Sequence, residues 1–199
     1  MRKQTRWTLL GAGLTAAAGL AGYFKLRGCA VERPDYRVRE KDGAAEVRDY
    51  PELLVVETTE TGAREPSLRT GFRRLADYIF AKDRDGRKIP MTVPVLSDNA
   101  IDSRRWRTRF VMPARFRRET LPDPTPEVEI AVVPARRVGV IRFKGKATDA
   151  VLRDKERELR DWLAMHGHDP MGTAEHAYYD PPMKPARLRR TEVILPLRR

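Results

Sequence analysis

The chain has 199 residues, 41% of them hydrophobic and 34% charged, with one cysteine, Cys29. That composition supports one ordinary globular core and excludes wholesale disorder, and a single cysteine excludes an intramolecular disulfide or a cysteine-built metal cluster. The net charge of +12 is partly terminal: residues 1–30 hold five basic residues and no acidic one, leaving 35 basic against 28 acidic beyond them. Such a moderately basic surface is not the footprint of a dedicated nucleic-acid binder, and no nucleic-acid partner is expected.

The first feature along the chain is Trp7–Phe24, 18 residues without a charge, flanked by Arg2, Lys3 and Arg6 before and Lys25 and Arg27 after. Its length reaches that of a transmembrane helix, which predicts a single-pass anchor in residues 1–30 and a folded domain over 31–199. A cleaved signal peptide has the same basic start and apolar middle, and lipidation of Cys29 in Leu26-Arg27-Gly28-Cys29 is a third reading. Basic residues nearly balance across the stretch, so they do not fix its orientation; the domain is expected on the extracytoplasmic side.

The domain repeats itself at an offset of 83 residues. Thr108 and Pro113 fall on Thr191 and Pro196, and the same shift puts Pro51 on Pro134 and Val55 on Val138. Two halves, about 36–120 and 127–197, are therefore predicted to repeat one unit of strands and a helix. In the first half, Tyr36–Glu40 is an edge-strand candidate, and Ala45–Tyr50 and Leu53–Thr59 are strands split by Pro51. Pro66–Ala81 spaces Leu68, Phe72, Leu75 and Ile79 as one buried helical stripe. Met91–Leu96 and Trp106–Met112 follow as strands, the latter with Arg105, Arg107 and Arg109 on a basic outer face. The joint Leu121–Pro126 carries three prolines and reads as a stiff connector. The second half answers with Val128–Val133, Val138–Lys144, a helix over Asp149–Met165 capped by Thr148 and stopped by Gly167, then Glu175–Tyr179 and Thr191–Leu197.

Catalytic signatures are missing: there is no phosphate-cradling glycine loop, no nucleophile elbow and no paired acid and base, so a non-catalytic binding protein is expected. His166, His168 and His176 lie in one stretch and are weak candidates for a metal or an axial heme ligand. Met91 and Ile89, in Lys88-Ile-Pro-Met-Thr-Val-Pro-Val95, are apolar pocket candidates, although core filling is the commoner role of a methionine. Three prolines around Met183 and Lys184 hold that lysine on a rigid loop, suited to an anionic ligand.

Those two runs, Lys88–Val95 and Asp180-Pro-Pro-Met-Lys-Pro185, together with Arg189-Arg-Thr-Glu-Val193, Phe110-Val-Met-Pro113 and Tyr50-Pro51, resemble the SOUL heme-binding family. The resemblance implies an α+β fold: a distorted antiparallel eight-stranded barrel with two helices, built from a duplicated βαββ-type unit and related to bacterial effector-binding domains. It implies reversible binding of heme or another tetrapyrrole in an apolar groove beside the first helix. Phe72, Leu75, Ile89 and Met91 would line that groove, with Lys88 and Lys184 reaching the propionates. Thr191 departs from the asparagine usual in the family. A different class of function, sensing another amphipathic effector or anionic lipid through the arginine-rich strand faces, is the alternative.

Overall fold

Short runs of β-branched and aromatic residues broken by turn residues, with two long runs of helical period between them, set the architecture. The computed structural model describes residues 31–82, 85–102 and 104–198. The anchor, signal and lipidation readings of residues 1–30 lie outside the described residues. Among those described, no helix is long and apolar enough to cross a membrane.

Strands β1 (Arg37–Asp42), β2 (Ala45–Tyr50) and β3 (Leu53–Thr61) precede helix α1 (Arg64–Ile79), and β4 (Val95–Asp102) and β5 (Arg105–Val111) follow it. Then come β6 (Glu129–Val133), β7 (Arg136–Lys144), helix α2 (Asp149–Met165), β8 (Glu175–Tyr178) and β9 (Arg190–Pro196). All pair antiparallel in the order β1-β2-β7-β9-β8-β4-β5-β3-β6. The expected eight-stranded barrel is thus a curled nine-stranded half-barrel. Closing it would require β6 to meet β2, but the free edge of β2 is taken by β1, which folds back through a turn at Gly43 with φ of 53°. Without β1, the order reads the same from either end once each strand of one half is exchanged for its counterpart in the other. β3 and β7 are each nine residues long.

Strand alternation gives the sheet two buried faces. On one, Val47, Ile141, Val193 and Leu195 pack under Leu152, Leu159, Trp162 and Leu163 of α2. The helix sits close because β7 offers Gly139 there: a Cβ at that position would stand 2.6 Å from Leu163 Cδ1. α1 makes the same approach at Gly71, above Thr108 and Thr58. The opposite, concave face gathers Tyr50, Leu53, Val55, Leu96, Val111, Val138, Val140 and Ile194.

Two local expectations change. β4 begins at Val95 rather than Met91, because Pro90 and Pro94 cannot donate to a ladder and the Val93 N–H donates instead to Glu32 O at 3.0 Å. Arg107 and Arg109 do not form a solvated basic face. They point to the concave side, where Arg109 pairs with Asp98 and lies 3.3 Å from Glu175, and Arg107 lies 3.1 Å from Asp98.

Candidate ligand-binding site

α1 and the connection that follows it carry most of the groove residues read from the sequence. Leu75 is fully buried on the sheet side of α1, and Phe72, half-buried, meets Phe110 edge-on with ring centroids 5.2 Å apart. The chain leaves α1 and returns along it, the Ile89 N–H donating to Ile79 O at 2.7 Å. Ile89 and Met91 are buried, while Lys88 between them and the turn is exposed. Phe72 and Ile79 lie two turns apart on one helix face, so the helix and the returning segment form an apolar wall with a cation at its rim.

Lys184 stands elsewhere, in the loop between β8 and β9. Its ammonium is 2.7 Å from Asp180 Oδ1, and Arg189 Nε donates to Lys184 O at 2.7 Å. This lysine already has a carboxylate partner and stiffens its own loop.

The fold brings His166 and His168 together on Glu40, with His166 Nε2 3.6 Å from Oε1, and sets His176 apart. His166 Nδ1 lies 2.8 Å from Trp162 O, with its ring against the Trp162 ring, and His168 Nε2 lies 2.9 Å from Glu40 Oε2 on β1. His176 sits on β8 under the helices, 8% exposed and stacked on Trp106. Burial holds its imidazole down to about 4, and the Arg64 charge adds to the effect. Among the described residues, no group of three or more ligating side chains is placed to hold a metal ion.

Sequence reasoning missed the concave face, where buried charge surrounds an apolar pocket. Arg48, 1% exposed, grips Glu192 with Nη1 to Oε2 at 2.9 Å and Nη2 to Oε1 at 3.1 Å, and reaches Glu46 through Nε. Tyr179 Oη donates to Glu192 Oε2 at 2.7 Å. Burial alone would raise the Glu192 carboxyl, but hydrogen bonding and charge from Arg48, with Arg190 and Tyr179 behind, hold it below the usual carboxylate range. A second group joins Arg136, Arg109 and Arg107 to Glu175 and Asp98. The signal was present in β2, where Glu46, Arg48 and Tyr50 alternate with Ala45 and Val47: a strand buried on both faces places its charges inside.

Between these groups lies a pocket lined by Tyr50, Leu53, Leu96 and Ile194 among others. Its free space is about 10 Å³, room for about one water and far too small for a tetrapyrrole.

With this geometry in hand, the comparisons place the chain: the profile of the SOUL heme-binding proteins matches residues 31–196, and the chain belongs to that family. Among curated proteins, none matches it in sequence. Solved structures share the fold at low identity. The C-terminal domain of EcmrR aligns at TM-score 0.58 with 15% identity, over 82% of this chain and 98% of that one. A hydrolase from Listeria innocua aligns at 0.55 with 14% identity, over 80% and 94%. EcmrR in its DNA complex aligns at 0.60 with 13% identity, over 94% and 65%.

Proposed function

We propose that this chain binds heme or a related tetrapyrrole without transforming it, on the wall formed by α1 and residues 88–91, as a domain tethered through residues 7–24. Membership of the family over residues 31–196 carries the reading. The wall fits the ligand class: Phe72 offers a half-exposed ring, Leu75, Ile89 and Met91 add buried apolar side chains on α1 and the segment returning from it, and Lys88 is exposed. A tetrapyrrole supplies a flat apolar face and two carboxylates, so burial of the face gives most of the binding and Lys88 gives orientation. Histidine is not required, since His166 and His168 are engaged with Trp162 O and Glu40 and His176 is buried. The strand order, symmetric about the β8–β4 pairing, supports a duplicated βαββ-type unit as the origin of the domain.

The test is a hemin titration of the full chain followed at the Soret band. Saturable binding is expected, weakened about tenfold, or 1.4 kcal/mol, by Phe72→Ala with Lys88→Ala. A spectrum unchanged when all three histidines are replaced by alanine completes the expectation. Absence of a saturable shift would overturn it.

A further inference from the structure

The concave pocket is closed by a piece of chain that belongs to none of the strands. Residues 32–36 run across its mouth, and of these Pro34 turns inward to line it, while Glu32, Arg33, Asp35 and Tyr36 are exposed. Side chains hold this strap at both ends. Glu32 accepts through its carbonyl from the Val93 N–H at 3.0 Å and through Oε1 from the Ala114 N–H at 2.7 Å. Arg33 lies over the Tyr179 ring at 5.8 Å, and Tyr36 lies 5.2 Å from Tyr50 and 4.3 Å from the Arg48 guanidinium. A proline has no N–H to give, so Pro34 itself contributes packing and no backbone donation.

Beneath Pro34 the lining is Tyr50, Leu53, Pro94, Leu96, Val111 and Ile194, with one cation, Arg136. Both terminal nitrogens of Arg136 are spent on Glu175, but its Nε is buried and has no hydrogen-bond partner. An apolar enclosure with a single unsatisfied charged donor is the chemistry of a site for an apolar molecule ending in an acceptor.

We propose that this pocket is a second ligand site, closed by the strap: it takes a small apolar carboxylate, whose ring or chain replaces Pro34 and whose carboxylate reaches Arg136 Nε. The site lies on the other face of the sheet from the tetrapyrrole wall: on β5, Phe110 faces α1 and Val111 faces the pocket. Ligand entry and strap release are one event, since the free space with Pro34 in place holds about one water. The strap follows directly on residues 1–30, so its release changes the segment joining the domain to the rest of the chain.

Amide hydrogen exchange of the full chain with and without 2-naphthoate tests this. Saturating naphthoate is expected to speed exchange at Val93 and Ala114 about tenfold or more, while Val55 and Ile194 keep their protection and so report an intact sheet. Glu32→Ala, a change at an exposed residue, removes the Oε1 bond to Ala114 and keeps the carbonyl bond to Val93; it loosens the strap and is expected to tighten naphthoate severalfold, because the competent state costs less to open. Its hemin titration is expected to match the parent, which separates failure of this site from failure of the tetrapyrrole reading. Arg136→Met is expected to weaken naphthoate by a similar factor. Binding that leaves Val93 and Ala114 protected, or no saturable binding to the Glu32→Ala protein at millimolar naphthoate, would overturn the proposal.

Discussion

Arg48 is the residue on which the concave face depends most. A guanidinium 1% exposed and bound to Glu192 and Glu46 costs several kcal/mol to desolvate, a cost that its partners offset only while all are present. Arg48→Met is therefore expected to destabilise the domain by about 3–5 kcal/mol, whereas Arg48→Met with Glu192→Leu recovers much of that, both read from urea midpoints. His176 gives the matching pH dependence. Its folded-state pKa of about 4 lies below the 6.5 of an exposed imidazole, so the unfolded chain binds the extra proton. The stability it contributes is complete above pH 6.5 and is lost as pH falls toward 4, on the order of 3 kcal/mol in all. The Glu46, Glu175 and Glu192 carboxyls are held below the usual carboxylate range, so His176→Phe, which keeps a ring on Trp106, is expected to flatten most of the loss between pH 6.5 and 5. At this scale the sequence was partly legible. Met91 and Ile89 were marked as pocket or core by type, and they are core. The inward arginines were not legible, because alternation shows that Arg107 and Arg109 share a face without showing whether a second apolar layer covers it.

Among the elements, the two helices were the most readable. The run Asp149–Met165 has the same limits in sequence and structure because Thr148 caps it, accepting from the Val151 N–H at 3.3 Å, and because Gly167 takes a φ of 73° that ends it. What period and caps do not reveal is how closely a helix lies on the sheet. Gly139 sets that distance for α2: Leu163 surrounds the position with three atoms between 2.6 and 3.1 Å from an added Cβ and is itself fully buried. Gly139→Ala is expected to cost about 1–3 kcal/mol and to act chiefly on the α2 packing, seen as faster amide exchange in α2 than in α1. The start of β4 was misjudged for a related reason: Met91–Val93 has strand-like residues, but its ladder positions depend on Pro90, Pro94 and the distant Glu32.

For the molecule as a whole, the two halves share a single sheet and pair with each other three times, β2 with β7, β3 with β6 and β4 with β8. Arg64 at the start of α1 also donates to Ala147 O and Tyr178 Oη at 2.9 Å, tying one half to the other. Neither half can bury its faces alone, so unfolding is expected to be one transition: single-tryptophan proteins keeping Trp106 or Trp162 should give coincident denaturant curves, and a gap between them would show separable halves. The offset of 83 residues predicts two similar units. It could not show that their strands interleave in one sheet, because pairing between β2 and β7 or β3 and β6 is set by contacts remote in sequence. A sheet that curls without closing also keeps two raw edges, and they are guarded unequally. In β1 five of six residues carry charge, so stacking against another strand would strip water from each of them. β6 ends the other side with Glu-Ile-Ala-Val-Val, Val132 46% exposed, and Arg118 donating to Ile130 O at 2.7 Å. Fibre growth from this chain would therefore begin at β6, and the protein with Glu129→Val and Arg118→Ala is expected to scatter more light on standing than its parent.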